Sequence, residues 1–297
     1  MKCSTVTLPS NMTDQLPTAE RKRLYVSDLD GTLLNENAEL SARTYAILND
    51  LLREGLPFTV ATARTYHSVL PILRGLPIQV PMIMQNGAVL YDLPQKRVLH
   101  AEVIAPQAFC SVCETMREHS VNGFAYCVED SILRCCYREL STDSMRQFYE
   151  ERRKRYEKPF YQVDALSELV SHSPVYVTMN APRAVLQPLV DALKSTQGLT
   201  LSYYSDVYRE GLWYLEISAD TANKQHGIEK IREMYGFETA VGFGDNVNDL
   251  PLFAACERKI AVANAADVLK SQADAVIGRN TEDAVALYLR DEWMRHP

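Results

Sequence analysis

Leu24-Tyr25-Val26-Ser27-Asp28-Leu29-Asp30-Gly31-Thr32 joins a short apolar run to a turn bearing two carboxylates and a glycine. Residues 24–27 read as a buried strand, so Asp28 falls where that strand stops. Along an extended chain, residues two apart share a side. Asp28 and Asp30 can therefore converge on one ligand or metal, while Gly31 frees the turn from Cβ clashes. One carboxylate could attack while the other moves protons. Taken alone, the stretch also reads as a solvated acidic turn closed by an Asx-type hydrogen bond, so its surroundings must decide.

Working outward, residues 40–54 place Leu40, Tyr45, Leu48, Leu51 and Leu52 at helical spacing before Gly55. Strands are predicted at 58–62 and 82–84, with a helix at 66–74 between them and Asn86-Gly87 following the second. Strands alternating with helices predict a parallel sheet. From about Val89 the texture changes. Strand-like runs at 98–104, 124–128, 132–137 and 175–179 alternate with helical stretches at 107–118, 142–156 and 182–194. The short gap Glu129-Asp130-Ser131 requires an antiparallel hairpin, whose edge could pair with a second chain. After a strand at 213–217 the first pattern returns, with helices at 227–235, 250–256 and 282–289 and strands at 240–243 and 259–263. The expected organisation is an α/β core from 23–88 and 211–297, an inserted α+β domain over 89–210, and a loose leader over 1–22.

A chain of 297 residues suits about two domains. Its composition, 46% apolar and 23% charged, is that of a self-folding globular protein rather than a disordered one. A formal charge of -7 argues against nonspecific binding to nucleic acid or anionic membranes, so an anionic substrate must be attracted locally. No apolar stretch reaches the roughly 18 to 20 residues that span a bilayer, and the first residues lack a signal peptide's apolar middle. The expected location is the cytoplasm. Seven cysteines then read as reduced thiols. Cys110-Ser111-Val112-Cys113 and Cys135-Cys136 lack a second Cys/His pair, so buried, chemically quiet side chains are expected. Basic residues 21–23 read as a solvated approach to the first strand, and the charge run 150–155 as the wet face of a helix.

Gly242-Phe243-Gly244-Asp245-Asn246-Val247-Asn248-Asp249 repeats the opening pattern, with a short apolar strand ending in an acidic glycine turn. Ligands of open α/β sheets bind at the carboxyl edge of the strands, where Asp28, Asp30, Asp245 and Asp249 can meet. Clustered carboxylates repel unless a cation joins them. An all-oxygen site with open positions suits Mg²⁺ better than Zn²⁺. Thr62 and Lys224 bring a hydroxyl and a point charge to the same edge, both suited to phosphate oxygens, although singly they read as a cap and a solvated lysine.

Four segments in this order resemble the motifs of the haloacid dehalogenase-like (HAD) hydrolases, specifically the Cof-type phosphatases of subfamily IIB. Asp28 to Leu34 resembles the first motif, Val60-Ala61-Thr62-Ala63-Arg64 the second, Lys224 with Gly227 the third, and Gly244 to Asp249 the fourth. Asn86-Gly87-Ala88 is similar to the segment that precedes the cap. The resemblance implies a Rossmann-like parallel-sheet core with an inserted C2-type α+β cap. It also implies a Mg²⁺-dependent phosphatase that acts on a small phosphorylated metabolite, a sugar phosphate or a phosphorylated cofactor, through an aspartyl phosphate. By the same resemblance Asp28 is the nucleophile, and Asp30 protonates the leaving oxygen and then activates water. Asp28, the Asp30 carbonyl and Asp245 would hold the metal. Asp249 would position a metal-bound water or Lys224, while Thr62, Lys224 and Asn248 hold the phosphoryl group. Arg64 would hold substrate or structure.

Two departures stand out: Ala63 replaces a common Gly, and Gln225 follows Lys224 where Gly is frequent. Neither removes a reacting group. Two alternatives remain open at this point. One is transfer of the phosphoryl group to a sugar hydroxyl, as in a mutase. The other is a metabolite-binding regulator without catalysis, which the full set of reacting groups disfavours.

Overall fold

The computed structural model describes residues 22–206 and 209–295; of the expected leader it includes only Lys22, and Cys3 lies outside the described residues. The chain begins β1 (Arg23–Ser27), α1 (Ala42–Arg53), β2 (Phe58–Val60), α2 (Tyr66–Val69), β3 (Met82–Met84), β4 (Val89–Asp92) and β5 (Arg97–Ala101). It continues α3 (Pro106–Glu118), β6 (Phe124–Glu129), β7 (Ile132–Tyr137), α4 (Asp143–Tyr156), β8 (Tyr161–Gln162), β9 (Pro174–Pro182) and α5 (Arg183–Leu193). Then come β10 (Leu199–Ser205), β11 (Leu212–Ala219), α6 (Lys224–Tyr235), β12 (Thr239–Gly244) and α7 (Leu250–Ala254). The last elements are β13 (Arg258–Val262), α8 (Asp267–Lys270), β14 (Ala275–Ile277) and α9 (Ala284–Met294).

Among the described residues, the first unit contains those up to Lys96 and those from Asn223 on. Its sheet has the order β14-β13-β12-β1-β2, and every pairing is parallel. Leu24 to Ser27 are buried on the inner strand β1, which explains their near-continuous apolar run. Register sets Ser27 opposite Phe243 on one side and Val60 on the other, so β1, β2 and β12 end side by side. A further parallel bridge joins Ala61 to Ile83.

Local chemistry sets the helix ends. α1 starts at Ala42 because Ser41 caps it, its hydroxyl accepting from the Thr44 amide at 2.9 Å. The helix expected over 66–74 stops at Val69, shortly before Pro71, which has no N–H to donate back into the helix.

The second unit is Arg97–Ala222, later at both ends than the 89–210 expected. Two strands account for the difference. β4 pairs antiparallel with β3, and so belongs with the first unit. β11, expected to resume the core, instead lies between β10 and β9 in the six-stranded order β10-β11-β9-β6-β7-β8. β6 and β7 form the expected antiparallel hairpin. On one sheet face Ala125, Val177 and Ile217 adjoin through the cross-strand register, and Met116 of α3 reaches this side near Met179. On the other face Phe148 of α4 stacks on Phe124 at 4.7 Å.

None of the six described cysteines is in a disulfide; Cys127, Cys135, Cys136 and Cys256 are buried, and Cys110 and Cys113 half-buried. The charge run behaves as expected at Glu151, Arg153, Lys154 and Arg155, which are exposed. Arg152 turns inward, 3.6 Å above the Phe148 ring.

Two stability predictions follow from burial. Phe243, fully buried on β12, should cost about 3–5 kcal/mol when replaced by Ala, measured by urea unfolding. Lys158 donates to the Tyr126 hydroxyl at 2.7 Å, and burial lowers its pKa to about 8. Between about pH 8 and its ordinary value of 10.5 the unfolded chain binds more protons at this group, so its contribution to stability rises with pH. The stability difference between wild type and Lys158→Met should accordingly move toward wild type across that window. The change should be at most roughly 1.4 kcal/mol per pH unit, read from unfolding curves at each pH.

Candidate active site

The turn after β1 is bonded to β12, the Asp28 amide donating to the Phe243 carbonyl at 2.9 Å. Lys224 opens α6, where the Asn223 side chain accepts from the His226 amide at 2.9 Å and satisfies a helix-end donor. The Lys224 ammonium donates to Asp28 Oδ1 at 2.5 Å and to Asp249 Oδ1 at 2.6 Å. All three side chains are buried. The second oxygen of Asp249 accepts from the amides of Asp245 at 2.9 Å and Asn246 at 3.1 Å, which fixes the fourth-motif turn.

Burial disfavours the carboxylate and raises Asp28 to about 7; Lys224 opposes this, while Asp249 and Asp245 reinforce it. Burial and Asp249 likewise raise Asp245 to about 6, against a 3.0 Å hydrogen bond from the Thr32 hydroxyl. Burial works against the Lys224 ammonium, but its two carboxylate partners outweigh it and the net shift is upward. The cluster is therefore short of positive charge. Asp28, Asp245 and Asp249 each offer an oxygen, all within 4.8 Å of one another. This all-oxygen, under-neutralised set fits a hard divalent cation such as Mg²⁺.

Gly31 lets the first turn approach that set. Its φ is +79°, and a Cβ there would lie 2.4 Å from Asp245 Oδ2. The Asn264 amide donates to the Gly31 carbonyl at 2.7 Å, while Asn264 Oδ1 accepts from the Asn280 amide at 2.9 Å. The Asn280 side chain in turn holds the Leu34 carbonyl at 2.7 Å. These asparagines, with Asn223 and Thr32, support the site but have no assigned role in the sequence pattern. Thr32 lies inside the first motif, and Asn264 follows β13 at the same sheet edge. Those positions were the available signals.

The Asp30 carboxylate is outside the three-aspartate set. Arg64 grips it as a fork, with Nε to Oδ2 at 2.7 Å and Nη2 to Oδ1 at 2.6 Å, and it is half-exposed. The metal expectation for Asp30 concerns its backbone carbonyl; the side chain is engaged elsewhere. Thr62 is buried, its hydroxyl accepting from the Arg64 amide at 3.1 Å, and Asn248 is exposed. Ala63 is outside the left-handed region, so a side chain there causes no backbone strain.

At Gly87, φ is +106° and a Cβ would meet the Asn223 carbonyl oxygen at 2.1 Å. This backbone approach packs the turn after β3 against the residue preceding Lys224.

Residues 25–289 match the family model of the haloacid dehalogenase-like hydrolases. The chain belongs to this family. A pyridoxal phosphate phosphatase of Escherichia coli is 28% identical over 277 residues, covering 90% of this chain and 97% of the relative. A 5-amino-6-(5-phospho-D-ribitylamino)uracil phosphatase of Bacillus subtilis is 26% identical over 289 residues, covering 90% and 96%. The fold is also similar to a crystal structure from Thermotoga maritima, with a TM-score of 0.73 and 24% identity over 91% of this chain and 97% of that one. No helix among the described residues of this hydrolase is long and apolar enough to cross a membrane.

If the three aspartates hold a cation, Gly31→Ala should displace Asp245 and weaken Mg²⁺ binding at least about tenfold, comparable with losing a supporting contact in other metal sites. Isothermal titration calorimetry on the two proteins gives this directly; equal affinities would refute the assignment.

Proposed function

We propose that this hydrolase is a Mg²⁺-dependent phosphatase that removes the phosphoryl group from a small phosphorylated metabolite through an aspartyl phosphate on Asp28. The observation that carries this reading is the buried Asp28–Lys224–Asp249 arrangement, beside a second carboxylate, Asp30, that remains outside it. A carboxylate nucleophile divides one difficult displacement into two easier ones.

In the first step an Asp28 oxygen forms a bond to phosphorus as the bond to the substrate's alcohol oxygen breaks, and protonated Asp30 gives that oxygen its proton. In the second, Asp30 takes a proton from water, the water oxygen bonds to phosphorus, and the bond to Asp28 breaks to release inorganic phosphate. Lys224 and Thr62 hold phosphoryl oxygens, with Asn248 assisting them. The Arg64 fork fixes the direction of the Asp30 carboxylate. Asp28, Asp245 and the Asp30 carbonyl would hold Mg²⁺, with Asp249 acting through water or through Lys224. When bound, the ion neutralises phosphoryl and carboxylate charge that would otherwise repel.

A sugar phosphate or a phosphorylated cofactor is the preferred substrate class. Its support is that the two relatives described above are named for a phosphorylated cofactor and a phosphoribityl compound.

Asp28→Asn should lower turnover of p-nitrophenyl phosphate by on the order of 10³-fold or more, as expected for losing a nucleophile. Chelation should abolish wild-type turnover and added Mg²⁺ restore it. Wild-type activity in the Asn variant would eliminate the aspartyl-phosphate route. With a labelled sugar phosphate as substrate, release of free phosphate supports hydrolysis, whereas an isomeric sugar phosphate identifies transfer.

A further inference from the structure

Cys135 and Cys136 are neighbours in the chain but not partners in the structure. Successive side chains of a strand point to opposite faces, so the two thiols separate, and Cys135 lies opposite Tyr126. Cys136 lies opposite Ala125, and Cys127 opposite Arg134. That register puts Cys127 and Cys136 on one face of the β6–β7 hairpin, diagonal to each other. Their sulfurs are 4.0 Å apart, and the two residues are 1% and 3% exposed.

The separation decides what the pair can do. A disulfide needs its sulfurs about 2.05 Å apart and its Cα atoms within about 7 Å. Diagonal neighbours on an antiparallel pair have Cα atoms roughly 7–8 Å apart, so closing that bond would require the strands to shift. An ion between the sulfurs requires no such movement. With metal–sulfur bonds of about 2.3 Å, two thiolates stand roughly 3.8 Å apart at a tetrahedral angle and roughly 4.6 Å apart in line. The observed 4.0 Å lies inside that range.

The ligand count then selects the ion. Zinc(II) in a structural site takes four ligands. Among the described residues, the only group of three or more His, Cys, Asp or Glu ligand atoms within 4.8 Å of one another is the aspartate set of the active site. The thiol pair therefore lacks the further side-chain ligands of a closed zinc site. Soft sulfur ligands favour copper(I), which accepts two of them.

Charge and access agree with this choice. Two thiolates and a monovalent ion carry one net negative charge, and Arg134 stands directly across from Cys127 on the same face. Its guanidinium pairs with Glu129 at 2.7 Å and lies 5.4 Å from the centre of the Tyr161 ring. The Arg134 and Glu129 side chains are about a third exposed, so this face reaches solvent two residues from each sulfur. A buried metal site needs such an entry path.

We propose that Cys127 and Cys136 form a two-thiolate binding site for a soft monovalent metal ion of the copper(I) class, on the hairpin of the second unit. On binding, each thiol releases its proton to solvent as its sulfur bonds to the ion, and no electron is transferred. The ion joins β6 to β7 and thereby stabilises the hairpin.

The test titrates reduced full-length protein with copper(I), without oxygen, against a chromogenic copper(I) chelator. Wild type and Cys135→Ala should each withdraw one equivalent, since Cys135 faces away. Cys127→Ala and Cys136→Ala should bind at least about 100-fold more weakly, the upper end of what losing an outer contact of a metal site costs. Copper(I) should also raise the unfolding temperature of wild type but of neither of these two variants. If they misfold, X-ray absorption at the copper edge of wild type decides: two sulfur neighbours support the site, and nitrogen or oxygen neighbours overturn it. No uptake by wild type, or equal affinity in all four proteins, overturns it as well. None of these readouts uses activity, so the result is independent of the phosphatase reading.

Discussion

Lys224 is buried between Asp28 and Asp249, and the first unit is organised so that this ammonium has somewhere to be. A lone charge taken out of water would cost several kcal/mol even after relaxation. Two carboxylates at hydrogen-bond distance offset that cost, but only if three segments far apart in the chain end within one side chain's reach. Parallel register brings two of them together, since β1 and β12 terminate side by side. The third comes from the N-terminus of α6, where Asn223 caps the helix and the bare backbone of Gly87 lets the turn after β3 approach.

The same lysine leaves a charge deficit. One ammonium faces Asp28, Asp245 and Asp249, so burial can raise Asp28 and Asp245 even beside a permanent cation. Such a cluster would repel a phosphate ester. A divalent cation neutralises this excess negative charge, which makes metal and phosphoryl binding mutually dependent in the proposed reaction. Asp30 escapes the deficit because Arg64 pairs with it separately. Two carboxylates only one residue apart in the chain thereby have different surroundings, and different surroundings permit different tasks.

Much of this was legible in the sequence because the pattern there is local. A buried strand that ends in Asp-x-Asp-Gly leaves little choice for β1, and a second strand with the same ending implies the shared sheet edge. The second unit was harder to bound. β11 is apolar enough to pass for a core strand, and only its antiparallel pairing with β9 and β10 assigns it elsewhere. β10 was missed because Leu-Thr-Leu-Ser-Tyr-Tyr-Ser is largely half-exposed and lies on an edge, where burial imposes little pattern. Asn264 and Asn280 were illegible for another reason: they act through backbone carbonyls, and a carbonyl leaves no trace in residue identity.

Arg64 shows how the two levels combine. Its place beside Thr62 suited either substrate or structure, and sequence could not weigh them. The fork on Asp30 uses two guanidinium nitrogens, and the Arg64 amide also donates to Thr62. One residue thus links the second motif to the first through both backbone and side chain. A lysine at this position could supply the charge but not the planar, two-pronged hold, so it would leave the Asp30 carboxylate free to rotate. The direction of Asp30 matters more than its mere presence if it must meet a leaving oxygen and then a water on the same line of attack. That requirement ties the orientation of a half-exposed side chain to a residue more than thirty positions away.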